Sequence, residues 1–87
     1  MKTFFLTFRS ITQAQRAERA FAKAGMAVVL RRTPRGMEER GCGDGAEVNC
    51  PDLKAVLEVR RWEKIPFRKS YLLHADGVTE ELLDDLP

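Results

Sequence analysis

The order of strand-like and helix-like segments constrains the fold of this chain more than any single motif does. Short runs rich in β-branched and aromatic residues predict strands, and small apolar residues at helical spacing predict the helices between them. The predicted elements, in order, are strand 3–8, a helix from Ser10 or Thr12 to Ala24, strand 26–30, strand 44–49, a helix that starts near Pro51, and strand 67–73. A length of 87 residues allows one domain, so these elements share one small core.

Four strands and two helices in the order β-α-β-β-α-β predict an α+β, ferredoxin-like sandwich, in which a four-stranded antiparallel sheet carries both helices on one face. Right-handed crossovers place strand 3 antiparallel between strands 1 and 2, and strand 4 on the other side of strand 1. We assign residues 1–75 to this domain. Residues 76–87 are an acidic tail, in which Thr79 is expected to cap a short helix over residues 80–85.

The third strand is predicted against the local preferences of its residues. Asp44, Gly45 and Asn49 all disfavour strand, and the alternative is a loop. The choice matters because Cys42 and Cys50 flank this segment. Eight steps along an extended strand would separate the two cysteines by about 26 Å, whereas a disulfide needs Cα atoms within about 7 Å. In a loop, the two cysteines could pair.

A loop rich in glycine and arginine over residues 33–43 joins the second and third strands and contains Cys42. Pro34 and three glycines hold this backbone open, so its thiol is not expected in the core. Guanidinium groups from Arg35 and Arg40 would favour the thiolate, which is the form that attacks electrophiles or carries a transferable atom. The alternative is a loop cysteine without chemistry.

Charge is distributed unevenly along the chain, although the net charge is only +2. Residues 1–40 hold nine Lys or Arg against three Asp or Glu, a balance of +6, and residues 41–87 hold six against ten, a balance of −4. In the predicted topology much of the positive charge gathers at one edge of the sheet, where the first helix also presents N–H groups suited to an anion. The residues expected at this edge are Arg9, Ser10, Arg32, Arg35, Arg40, Cys42, Arg61 and Arg68.

Cys50 is expected at the opposite edge of the sheet and has two interpretations. It directly precedes Pro51 at the start of the second helix, a position that lowers the pKa of a thiol. Alternatively, it is a small apolar residue at the end of a strand. The opening apolar run stops at Arg9, too early for a signal peptide, so we expect reduced thiols and a cytoplasmic protein.

Several classes of function lack the residues that they need. Only Cys42, Cys50 and His74 could bind zinc, no Cys-x-x-Cys spacing occurs, and His74 is expected on the Cys50 edge, so neither a metal nor a cofactor is predicted. No segment approaches the roughly 18 apolar residues of a membrane span. The chain has no glycine-rich phosphate loop and no nucleophile elbow, which favours a carrier or a binding protein over an enzyme.

Nucleic acid and protein are the two kinds of partner to consider. RNA-binding domains of this topology stack bases on aromatic residues of the central strands, and the third strand has none, so nucleic-acid binding is disfavoured. A contact with phosphate alone, through Arg31, Arg32 and Arg35, stays open. A second alternative is an interaction module that pairs through an edge strand, with a partner protein or as a homodimer. Trp62 is expected to pack at the rim of the second helix.

Several short motifs together resemble the family of small bacterial proteins described as selenium/sulfur carrier-like, over residues 3–73. The matching motifs are Thr7-Phe8, Ala17-Glu18, Ala24-Gly25-Met26, Thr33-Pro34-Arg35, Cys42-Gly43 and Pro51-Asp52-Leu53. The resemblance implies a ferredoxin-like fold and a carrier thiol at Cys42, with Arg35 as its partner in the loop. It also implies donor and acceptor proteins for sulfur or selenium.

A carrier thiol needs access to solvent and stabilisation of its anion. Gly43 would give access to Cys42, while Arg35, Arg40 and the helix start at Ser10 would stabilise the negative charge. The expected intermediate is a persulfide or a selenosulfide.

Overall fold

Five strands and two helices make up the described parts of the chain. The computed structural model describes residues 1–33, 44–65, 69–74 and 79–82. The elements are β1 (Lys2–Thr7), α1 (Ile11–Lys23), β2 (Ala27–Arg32), β3 (Asp44–Cys50), α2 (Leu53–Glu63), β4 (Ser70–Leu73) and β5 (Thr79–Leu82). They confirm the predicted β-α-β-β-α-β order and add a strand after it.

All strands belong to one sheet in the order β2-β3-β1-β4-β5, and every neighbouring pair is antiparallel. The predicted position of β3 between β2 and β1 is therefore confirmed. Its register aligns Val48 with both Phe4 and Val28, so apolar residues of three strands meet on one face. Burial in the middle of the sheet outweighs the weak strand propensity of the individual β3 residues.

Both helices cover that face and enclose the main core. The buried side chains of this core are Phe4, Leu6, Phe8, Ala14, Ala17, Ala20, Phe21, Ala46, Val48, Cys50, Val56, Val59 and Ile65. Small alanines on α1 let the helix lie close to the sheet, while phenylalanines fill the space between them. Neither α1 nor α2 has the length and the apolar character that a membrane span requires.

Each helix begins at a capping side chain. The Ser10 hydroxyl accepts a hydrogen bond from the Gln13 N–H at 3.2 Å, and the Asp52 carboxylate accepts one from the Ala55 N–H at 3.1 Å. These bonds satisfy N–H groups that have no partner within the helix. Gly25 follows the end of α1 with a φ of +86°, the left-handed conformation in which a glycine commonly closes a helix.

The predicted helix over residues 80–85 is wrong for its first three residues, which belong to β5. Leu73 pairs with Thr79, and Ser70 pairs with Leu82. A six-residue helix without a packing partner is marginal in water, whereas pairing with β4 satisfies the backbone groups of both strands. The edges of the sheet are therefore β2 and β5, and not β2 and β4 as predicted. Residues 75–78 and 83–87 of the predicted turn and tail lie outside the described residues.

A second, smaller cluster lies on the face of the sheet opposite the helices. Phe5 and Tyr71 are both buried there, and Leu73 packs against them. Gly45 adjoins this cluster, because a Cβ at Gly45 would overlap the Phe5 ring and would lie 2.5 Å from the carbonyl oxygen of Leu6. The missing side chain of Gly45 is thus a packing requirement at the start of β3.

Candidate functional site

One edge of the sheet collects one end of each of the seven described elements, and we call it the α1 edge. The strand ends meet there because Arg32 pairs with Asp44 and Thr7 pairs with Gly45. Thr7 also fixes the chain just before β4: its N–H donates to the Lys69 carbonyl at 3.0 Å, and its hydroxyl accepts from the Lys69 N–H at 3.1 Å. The described residues of the α1 edge are Arg9, Ser10, Arg32, Thr33, Asp44 and Lys69.

The two helices also meet near the α1 edge, with the start of α1 beside the end of α2. The Arg16 guanidinium, in the second turn of α1, donates a hydrogen bond of 3.1 Å to the carbonyl of Glu63, the last residue of α2. This bond joins a cation to a helix C-terminus, where the helix dipole favours positive charge. The element ends that carry Arg9, Ser10, Arg32 and Arg61 therefore converge as the topology predicted.

Most residues predicted to act at this edge lie outside the described parts of the chain: Arg35, Arg40, Cys42, Gly43 and Arg68. Ser10 is described, and its hydroxyl caps α1 through the bond from Gln13. Arg9 and Arg32 are both exposed. The described part of the edge thus offers two solvent-facing guanidinium groups and a capped helix start, all of which favour an anion.

Of the three arginines considered for a phosphate contact, the structure describes Arg31 and Arg32, and these two do not share a face of the sheet. Arg31 and Arg32 are consecutive in β2, so their side chains project from opposite faces of the sheet. The Arg31 Nε lies 3.4 Å from Glu47 Oε1 on β3, which partly neutralises that guanidinium. Arg35 lies outside the described residues. The joint phosphate contact therefore gains no support from the described residues.

Gln13 has a buried side-chain oxygen that the sequence pattern did not predict. Its spacing from Ser10 is that of a capping box, in which the glutamine side chain would accept from the Ser10 N–H. Only half of that motif forms: the Gln13 N–H donates to the Ser10 hydroxyl, while Gln13 Oε1 is buried and has no hydrogen-bond partner among the described residues. A buried acceptor without a partner costs about 1–3 kcal/mol. The spacing alone could not show that the second half of the motif fails.

Cys50 lies at the opposite edge, paired with Lys2, and is a free, fully buried thiol. Burial is the largest effect and raises the pKa of the Cys50 thiol; a backbone hydrogen bond at Asp52 lowers it, and the Asp52 charge raises it further. The protonated thiol donates a hydrogen bond of 3.3 Å to the Asp52 carbonyl. The reactive interpretation of Cys50 is therefore wrong, because desolvation outweighs the helix start. Cys50 is a small core residue at the end of a strand.

His74 is the other described candidate for metal binding, since Cys42 lies outside the described residues. His74 follows Leu73, which pairs with Thr3, so His74 lies on the Cys50 edge as predicted. Within residues 1–33, 44–65 and 69–74, no three His, Cys, Asp or Glu side chains are close enough to hold a metal ion.

The fold and the α1 edge define a small ferredoxin-like domain with a cationic edge beside a cysteine-containing segment. A model of the family described as "Putative Se/S carrier protein-like" matches residues 3–72. The match covers most of the chain, so the protein belongs to this family, and the resemblance drawn from its motifs is confirmed. No curated protein and no solved structure matches the chain.

Proposed function

We propose that this protein carries sulfur or selenium on Cys42, as a persulfide or a selenosulfide. The observation that supports the proposal is the burial of Cys50, the other cysteine of the chain. Cys50 is fully buried and its pKa is raised, so it is neither accessible nor readily ionised. In a chain with two cysteines that belongs to a carrier-like family, Cys42 is the remaining candidate.

The surroundings of the α1 edge support this assignment. Cys42 is only two residues before Asp44 in the sequence, and two residues span at most about 7 Å. Arg9 and Arg32 contribute exposed positive charge at this edge, and the start of α1 adds its N–H groups. Positive potential lowers the pKa of a thiol, so a thiol here is expected to be ionised more fully than Cys50.

The transfer step is a thiolate displacement. The Cys42 thiolate attacks the outer sulfur of a donor persulfide, R–S–SH; the donor S–S bond breaks, and R–S⁻ leaves. The product on Cys42 is Cys–S–SH, so there is no net oxidation or reduction and no external proton is needed. A donor R–S–SeH loads selenium in the same way. An acceptor thiolate then attacks the outer atom and restores the Cys42 thiolate.

The other predicted residues have supporting roles in this scheme. Arg35 and Arg40 stabilise the thiolate and the loaded anion, and Gly43 leaves room for the donor and the acceptor. Ser10 acts through α1, because its hydroxyl holds the first turn and so keeps the remaining N–H groups at the edge. Because the cycle needs a reduced thiol, we expect the protein to work in a reducing compartment such as the cytoplasm.

The test is to load the reduced protein with glutathione persulfide and to follow its intact mass. One sulfur atom is expected on the wild type and on Cys50→Ala, none on Cys42→Ala, and a thiol acceptor should remove it. Arg35→Gln and Arg40→Gln should slow loading, while Lys54→Gln, an exposed cation at the start of α2, serves as the matched control. Equal loading of Cys42→Ala and the wild type would contradict the proposal.

A further inference from the structure

Trp62 is the only tryptophan of the chain and is 81% exposed on α2. The expectation that it packs at the rim of its helix is therefore wrong. A side chain of this size loses a large apolar area from water when it is covered, and tryptophan is enriched among the residues that dominate protein interfaces. Its exposure places a large apolar side chain on the solvent-facing side of α2.

Trp62 forms one wall of a groove between the helices, which we call the Trp62 groove. Its lining residues are Ala20, Lys23, Ala24, Glu58, Val59, Trp62 and Glu63. The volume of about 250 Å³ lies below the roughly 300–1,000 Å³ that is usual for small-molecule pockets. Ala20 lies in the last turn of α1 and Ala24 is the C-cap residue of that helix, and their small side chains leave a shallow surface that a large side chain can cover. The groove is therefore suited to a protein side chain.

The charges of the groove are divided between its two helices. Lys23 comes from α1, whereas Glu58 and Glu63 come from α2. None of these three side chains has an ion-pair partner in the described part of its own chain. One surface thus carries both signs of charge, a protruding indole and a small-residue area opposite it.

An isologous dimer pairs one surface with its own copy across a two-fold axis, so that surface must carry both halves of each contact. We propose that the Trp62 groove binds a second copy of this chain, forming a symmetric dimer through α1 and α2. Trp62 of each copy covers Ala20 and Ala24 of the other, and Lys23 of each copy faces Glu58 and Glu63 of the other. The dimer does not depend on the chemistry of Cys42, so the two proposals fail independently.

The first test measures self-association of the full chain by sedimentation equilibrium over a range of protein concentrations. The wild type should dimerise, and Trp62→Ala should raise the dimer dissociation constant at least about 30-fold, as for an interface residue that dominates binding. The fluorescence of Trp62 gives a second measure of dimerisation, because its emission should shift to shorter wavelength as the dimer forms. Val29→Lys, on the exposed β2 edge, is the matched control and should leave dimerisation unchanged.

The second test exchanges the charges. Lys23→Glu alone, and Glu58→Lys with Glu63→Lys in a second variant, place like charges across the two-fold axis and should each weaken the dimer at least about tenfold. Mixing the two variants in equal amounts restores opposite charges at both contacts and should restore association. Far-UV circular dichroism checks that each variant is folded.

Three outcomes would overturn the proposal: a wild type that stays monomeric at millimolar concentration, a dimer that these substitutions leave intact, or a mixture that does not associate. A dimer lost in Val29→Lys but kept in Trp62→Ala would assign the interface to the β2 edge instead.

Discussion

The packing at Gly45 allows a stability effect to be worked out before measurement. Gly45 lies at the start of β3, and a Cβ there would overlap the Phe5 ring and lie 2.5 Å from the Leu6 carbonyl oxygen. Ordinary contacts of a Cβ begin near 3.4 Å, so β1 and β3 would have to separate or Phe5 would have to leave its buried position. Overpacking of this kind costs about 1–3 kcal/mol, and a clash with backbone puts Gly45→Ala near the upper end, at about 3 kcal/mol.

Gly25→Ala is the matched control, because it adds the same methyl group at a position where only the backbone conformation opposes it. Gly25 has a φ of +86°, and no atom of the described residues lies within 4 Å of a Cβ there, so alanine meets only the backbone penalty, about 1–2 kcal/mol. For a domain of this size, about 3 kcal/mol corresponds to a fall in Tm of about 12–24 °C. Urea and thermal unfolding, followed by far-UV circular dichroism at one protein concentration, measure both variants. A Gly45→Ala variant as stable as Gly25→Ala would refute the packing argument.

Two further predictions concern buried polar groups. Gln13→Met removes a buried acceptor that has no partner in the described part of the chain, while keeping the shape of the side chain, and it should raise the free energy of unfolding by about 1 kcal/mol in urea. A loss of stability would show that Gln13 Oε1 has a partner in solution. The raised pKa of Cys50 means that the folded state keeps its thiol proton longer than the unfolded state does. The protonated Cys50 thiol therefore contributes its full stabilisation below the unfolded pKa of about 8.5, and this stabilisation is lost as the pH rises through the higher folded pKa. Cys50→Ala should remove this loss of stability at alkaline pH. An identical alkaline pH profile for Cys50→Ala would contradict this.

The sequence was sufficient for the topology because hydrophobic pattern and chain order leave few solutions for two helices and four strands. The start and end of α1 also followed from local chemistry, since Ser10 and Gly25 act where capping rules place them. For β3 the pattern of Ala46, Val48 and Cys50, all buried on one face, outweighed unfavourable neighbours.

Tertiary contacts explain the predictions that failed. The acidic residues after Thr79 have the pattern of a solvated helix. They form a strand because the open edge of β4 offers backbone hydrogen-bond partners. Local sequence places Cys50 at a helix start, but burial, which no local signal reveals, decides its pKa. The helical position of Trp62 likewise gave no sign of its exposure.

The most direct test of the carrier proposal compares the two cysteines in one reduced, folded sample. The alkylation rate of each cysteine is measured against pH, with the modified site identified by mass spectrometry. We predict that Cys42 reacts fast with an apparent pKa below the ordinary cysteine value, while Cys50 stays protected until the protein unfolds. A Cys42 thiol with an ordinary pKa that reacts as slowly as Cys50 would contradict the assignment of Cys42 as the carrier thiol.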